Sequence, residues 1–156
     1  MRITKYDMQM DHDKKLILVK ENATNYPSAE NLTNPNLIYK MMCDVFHANK
    51  LPEEHVWLLA FSAKMAPIGI FEISHGGGMF SYIDPKAIFS RLLLTSAAGF
   101  VLVHNHPSGD PEQSKEDLKI TKALQQGAAL MGMQFLDHII VGDARFLSLR
   151  NEALME

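Results

Sequence analysis

Apolar residues fall along this chain in short runs set between polar stretches, and the runs differ in period. Lys15 to Lys20, KLILVK, is a brief apolar run with weak alternation and predicts a strand. Asn34-Pro35 supplies a capping side chain followed by proline at the first helical position. It opens NLIYKMMCDVFHANK, in which Leu37, Met41, Cys43 or Asp44, and Val45 lie near a helical period that ends close to Asn49. HVWLLAFS, from His55 to Ser62, and PIGIFEIS, from Pro67 to Ser74, are β-branched, aromatic and aliphatic over a strand's length. With a turn around Lys64 and Met65 they predict a hairpin.

Gly76-Gly77-Gly78 then breaks the chain, as expected of a turn or bulge needing positive φ. A phosphate cradle is disfavoured there, because no lysine and helix follow in the required order. Asp84-Pro85 repeats the cap-plus-proline signal before KAIFSRLLLTSAAG, where Ile88, Leu92, Leu93 and Ser96 recur at helical spacing and Gly99 marks the stop. FVLV, ending at His104, is apolar on both faces and reads as a buried strand. The segment SKEDLKITKALQQGAALMG predicts a helix with Leu118, Thr121, Leu124, Ala128 and Met131 as its apolar stripe. FLDHIIVG and RFLSL complete a strand pair. The sum is an α/β fold, a single-domain mixed sheet flanked by helices with no internal repeat. Residues 1–35 form a strand and polar segment leading into or packed on a domain over 36–156.

Length and composition agree with one soluble domain: 156 residues, 47% hydrophobic and 21% charged. The net charge of -3 gives no global basic surface of the kind that drives non-specific nucleic-acid binding. One cysteine, Cys43, excludes an intramolecular disulfide and every cysteine-rich zinc pattern, so a transition metal would sit on histidine and carboxylate. No apolar run approaches the roughly 20 residues that span a bilayer, and MRITKYDMQMDHDKK lacks a signal peptide's apolar centre. A cytoplasmic protein with no membrane partner is expected.

The chemistry concentrates in VLVHNHPSGDPEQSKEDLKIT. Residues two apart on an extended segment face the same way, so His104 and His106 can aim two imidazoles at one point while Asn105 faces away. Zinc accepts such nitrogens together with a carboxylate, leaving a fourth position for water in a catalytic site. Asp117 is the first choice for that carboxylate, since the loop from Pro107 to Pro111 lets the following helix return over the strand end; Asp110 competes. Ser114 and Asp117, three apart, also read as a capping box at the helix start. Two histidines beside one another would repel if protonated, whereas a metal holds both neutral.

His104-x-His106, seven residues, then Ser114-x-x-Asp117 resembles the JAMM signature of the JAB/MPN metalloproteases. With HNHPSGDP and LDHIIVGD, the stretch from about Leu37 to Leu154 is similar to the bacterial RadC-like JAB domain. The resemblance implies a JAB/MPN fold akin to the cytidine-deaminase architecture, zinc on His104, His106 and Asp117, and a water activated by the metal. It places Ser114 at the oxyanion of a tetrahedral intermediate. The family's general base is a glutamate just before the strand that precedes the signature, which falls in PEEHVWLL and matches Glu54 best; Glu53 and Glu72 are the alternatives. Two departures stand out. Gln113 occupies a position commonly held by proline, and the first 35 residues are too short and too polar for the helix-hairpin-helix often found upstream.

The implied activity is zinc-dependent cleavage of a peptide or isopeptide amide in a protein or peptide substrate. Two alternatives are a zinc-stabilised protein-binding scaffold and a DNA-associated nuclease or repair factor. Consecutive His-Asn-His does not make an HNH nuclease, whose residues are spread over a ββα unit, and Cys43 alone cannot supply a zinc deaminase's cysteine pair. Nucleic acid is therefore a disfavoured substrate. Asp137-His138 reads as a structural hydrogen-bonding pair ahead of one that orients a metal-binding imidazole. His12, His47, His55 and His75 show no ligand spacing, and Trp57 reads as core.

Overall fold

Residues 1–27, 32–76 and 83–155 are described by a computed structural model. Their backbone runs through β1 (Arg2–Met10), β2 (Leu16–Asn25), α1 (Pro35–Phe46), β3 (His55–Phe61), β4 (Pro67–His75), α2 (Pro85–Leu94), β5 (Gly99–Asn105), α3 (Lys115–Leu130), β6 (Gln134–Val141) and β7 (Phe146–Ser148). Among these residues the strands form one seven-stranded sheet in the order β2-β1-β4-β3-β5-β6-β7. Pairing is parallel for β1/β4 and β5/β6 and antiparallel elsewhere, which makes the sheet mixed, as the alternation of strands and helices predicts.

Alternation along the central strands divides the core between two faces. Trp57, Leu59, Phe61, Val101, Val103, Ile139 and Val141 turn toward α1 and meet Ile38, Met41 and Met42. Val56, Leu58, Ala60, Phe100, Leu102 and Ile140 turn the other way, against α2 and α3 through Ile88, Phe89, Leu92, Leu124 and Ala128. β5 lies between β3 and β6 and is buried along its whole length, so its last residues open directly onto whatever the next loop builds.

The helix starts follow from their caps. Asn34 and Asp84 accept the N–H groups of Asn36 and Lys86 at 2.9 Å, each just before a proline that has no N–H to satisfy. The helix ends and faces differ from the periodic reading. α1 stops at Phe46 because His47 turns left-handed, with φ 53°, and a short 3-10 turn follows over Ala48–Lys50. Its buried face is Ile38, Met41 and Met42, one position round from Leu37 and Cys43. α2 buries Ile88, Phe89 and Leu92, while Leu93 is 58% exposed and Ser96 lies past the helix end with φ 51°. Met131 is likewise exposed, beyond the last turn of α3. These segments carry apolar residues on more than one side, and only packing decides which side is covered.

β1 is absent from the hydrophobic pattern altogether, and β2 continues past Lys20 to Asn25. Only Ile3 of β1 is buried. The hairpin is recruited by backbone pairing more than by apolar burial: β1 meets β2 along its full length but meets β4 only where Lys5 and Tyr6 pair with Ile70 and Phe71. Gly69 makes that approach possible, since a Cβ there would come within 2.5 Å of the Tyr6 ring. Of the three consecutive glycines, Gly76 has the expected positive φ, 78°, and Gly77 and Gly78 lie outside the described residues.

Candidate metal centre

β5 carries His104 to the sheet end on the α3 side, and the chain leaves the strand at His106, whose N–H still bonds to Val141 O at 2.9 Å. A tight turn closes next, with Gly109 N donating to His106 O and Gly109 at φ 82°. A side chain at Gly109 would strike the Asp143 carboxylate, so this position needs glycine twice over. The reversal sets α3 with its first turn over the strand end, bringing Asp117 to the histidines.

There the donor atoms converge. His104 Nε2 stands 3.0 Å from His106 Nε2, and Asp117 offers Oδ1 at 3.3 Å to the first and Oδ2 at 3.6 Å to the second. Two ligands bound about 2.0–2.1 Å from a tetrahedral centre are roughly 3.3 Å apart, so the triangle already has the dimensions of a zinc-like site. Asp110, the competing carboxylate, turns away: its Oδ1 bonds Arg145 Nη2 at 2.8 Å and Glu112 N at 3.2 Å.

Hydrogen bonds behind the rings decide where their protons sit. Thr121 Oγ1 donates to Asp117 O at 2.6 Å, leaving its lone pair to accept from His138 Nδ1–H, also at 2.6 Å. His138 Nε2 is then an acceptor and receives Nδ1–H of His104 at 2.9 Å. On the other ring, His106 Nδ1 donates to the Asp110 carbonyl at 2.9 Å. Both imidazoles therefore turn Nε2 lone pairs toward each other and toward a carboxylate. Nothing in such a triangle donates unless a proton or a metal cation enters it.

The electrostatics match. Burial works against the charged form of His106, yet hydrogen bonding to Asp117 and to the Asp110 carbonyl, with Glu54 acting through space, raises its pKa above the ordinary 6.5. Burial also opposes the Asp117 carboxylate, but the two imidazoles, which donate to it once a proton enters the triangle, and the Ser114 N–H outweigh it and hold the group well below the usual carboxylate range. His138 is wholly enclosed, and desolvation followed by the neighbouring His104 keeps it neutral.

Ser114 and Asp117 do form the capping box. Ser114 Oγ accepts Asp117 N at 3.0 Å, Asp117 Oδ2 accepts Ser114 N at 2.7 Å, and the serine hydroxyl donates to that same Oδ2 at 2.7 Å. The capping and metal-binding readings of Asp117 are thus compatible: capping fixes its rotamer and leaves Oδ1 free for His104.

Glu54 stands at the mouth of β3, half-buried, where its charge reaches His106. Asn105, whose side chain points to the opposite face from the histidines, anchors both flanks of that residue. Its Oδ1 accepts His55 N at 2.7 Å and its Nδ2 donates to Glu53 O at 3.0 Å. Glu54 O in turn accepts Gly76 N at 3.0 Å. Glu53 is exposed near Gly76. Glu72 is neither exposed nor near His104 and His106: it is half-buried between Lys5 and His55. Because Asn105 is 1% exposed, Asn105→Ala would leave Glu53 O and His55 N without their partner. The expected loss is about 1–3 kcal/mol of stability, read from denaturant unfolding.

One reading changes rank and one contributor escaped the sequence. Strand alternation separates Asp137 from His138: His138 backs His104, the orienting role ranked second for that pair, while Asp137 accepts from Ser148 Oγ and, at 3.1 Å, from Arg150 N. Asn105 carried no local signal beyond its place between two histidines. For His138, the parallel register of β5 and β6, with His104 opposite Ile140, would have been needed.

A mixed sheet with His-x-His at the end of a central strand and aspartate in the first turn of the next helix defines a domain of the JAB/MPN superfamily. Within it the chain belongs to the RadC-like JAB domain family, whose profile matches residues 32–154. It is 48% identical over 103 residues to a UPF0758 protein of Coprothermobacter proteolyticus, covering 66% of this chain and 44% of that protein. A UPF0758 protein of Geotalea uraniireducens is 35% identical over 133 residues, 85% of this chain and 58% of the relative. One from Methanosarcina mazei is 34% identical over 125 residues, 80% and 54% respectively. The chain spans about half the length of these relatives. Among the described residues no helix is long and apolar enough to cross a membrane.

Proposed function

We propose that the chain is a zinc-dependent hydrolase of the JAMM type, cleaving a peptide or isopeptide amide, with His104, His106 and Asp117 holding the metal. The observation that carries this reading is the pair of Nε2 lone pairs, fixed by His138 and by the Asp110 carbonyl, facing one carboxylate at tetrahedral spacing. Zinc bound there would supply Lewis acidity and bring a water's pKa to near 7. A donor set of three leaves a position open, which a purely structural zinc site would fill with a fourth protein ligand.

Each residue has its part. Glu54 takes the proton of the attacking water and passes it to the leaving amine. Ser114 steadies Asp117 in the resting site; to serve the oxyanion, its hydroxyl proton must rotate away from Asp117 Oδ2. His138 and Thr121 keep His104 in the tautomer that presents Nε2.

The scaffold and nuclease readings are separated by one screen. Fluorogenic peptides and isopeptide-linked conjugates, and in parallel single- and double-stranded DNA at low salt, are incubated with the protein and zinc, magnesium or manganese. Amide cleavage that a chelator removes is expected. The net charge of -3 leads us to expect no cutting of DNA. Metal-dependent DNA cutting lost in His106→Ala would replace this reading with the nuclease.

A further inference from the structure

On the opposite face of the sheet from His104, where β3 begins and β4 ends, a second set of metal-ligating side chains comes together. We propose that His55, Glu72 and His75 form a separate site for a zinc-like divalent transition metal. This site does not depend on the hydrolase reading.

Antiparallel pairing sets His55 directly across from His75. Glu72 Oε1 lies 2.8 Å from His55 Nδ1 and 3.4 Å from His75 Nδ1, and one donor atom from each of the three residues falls within 4.8 Å of the others. The His55 ring is held between two neighbours, Trp57 at 5.5 Å and 12° and His75 at 5.3 Å and 19°. Stacking of this kind fixes where Nδ1 points before any ion arrives. The other carboxylate oxygen, Oε2, accepts Lys5 Nζ at 2.8 Å, which orients Glu72 with Oε1 toward the imidazoles.

Chemistry and access agree with the geometry. Two imidazoles and one carboxylate are a donor set that suits zinc, cobalt(II) or nickel(II). With neutral histidines, Lys5 leaves one of the two charges on Glu21 and Glu72 uncompensated, so a cation is electrostatically welcome. The His75 side chain is 64% exposed and has room to adjust toward His55 and Glu72. A cleft of about 190 Å³, lined by Lys5, Asp7, Glu21, Glu72 and His75 among others, gives solvent an approach to the open side.

Cobalt(II) is the probe, because the chain's single tryptophan stacks on a proposed ligand and a paramagnetic ion there quenches it. The first centre is disabled with Asp117→Asn. That protein is expected to bind about one equivalent of cobalt by equilibrium dialysis, with saturable quenching of Trp57. Adding His75→Ala, an exposed change that leaves the fold and melting curve intact, should weaken binding beyond the roughly 10–100-fold typical of losing an outer-shell partner, and abolish the quenching. Three results would overturn the site: no cobalt bound by Asp117→Asn, quenching that survives His75→Ala, or an equivalent that disappears with His12→Ala, which would place the ion on the exposed Asp11-His12-Asp13 turn.

Discussion

Glu54→Gln is expected to slow amide hydrolysis by roughly 10²–10⁴-fold, the usual worth of a positioned general acid–base group, while metal content and melting temperature stay where they were. The amide has nearly the shape of the carboxylate, and Glu54 is not among the converging donors. What changes is the ability to take and return a proton. Glu53→Gln and Glu72→Gln serve as comparisons, since Glu53 is exposed and Glu72 is bound to Lys5 and His55 on the other face. Ser114→Ala should also slow turnover, by about 10²–10³ if the hydroxyl serves the oxyanion, and cost about 1 kcal/mol through the broken capping box. Rates and melting curves taken on the same preparations separate the two effects. Full activity in Glu54→Gln would remove it as the base.

Metal retention offers the other large contrast. Asp117→Ala should strip the ion from the His104–His106 centre, and Asp110→Ala should leave it in place. Asp117 faces both Nε2 atoms, whereas the Asp110 side chain is engaged by Arg145. Removing Asp117 also breaks the capping box, so a modest loss of melting temperature accompanies the loss of metal and does not explain it. Zinc content measured by atomic emission after dialysis, with both variants made in a His75→Ala background so that His55 and Glu72 cannot hold a second ion, decides between the carboxylates; loss with Asp110→Ala and retention with Asp117→Ala would reverse their roles. In the wild type, affinity should fall as the pH drops through the raised pKa of His106, because proton and metal contend for the same nitrogen.

The centre was legible where it is local. His104, His106, Ser114 and Asp117 lie within fourteen consecutive residues, and extended spacing, a reversing loop and a cap signal suffice to bring them together. What supports the centre was legible only as the second reading of Asp137-His138, and not at all for Asn105, because the contacts are made with other strands. His138 backs His104 only through the parallel register of β5 with β6, and Asn105, which does face away from the two histidines as alternation requires, finds its task at the start of β3. His55 and His75 looked unrelated, since they stand twenty positions apart in sequence and meet only through a pairing whose register shifts between Val56 and Trp57. The fold class followed from alternating strand and helix signals, but individual faces did not. Leu93 is as apolar as Leu92, and only its outward direction on α2 leaves it bare. β1 escaped because RITKYDMQM buries a single apolar side chain and is held by its ladder.

The thin seam between β1 and β4 divides the sheet mechanically. Two paired residues, the Tyr6 ring seated over Gly69, buried Ile3 and the Lys5–Glu72 ion pair tie the N-terminal hairpin to strands that are otherwise buried in a two-sided core. A unit joined by so short a ladder is expected to open below the free energy of global unfolding, with β1 and β2 leaving together, which native-state amide exchange reads. Lys5 leaves with them. Each excursion would strip the ammonium from Glu72 and widen the cleft beside His75, so the hairpin would act as a charged latch on one end of the sheet while the His104 centre, built on β5 between β3 and β6, would stay assembled.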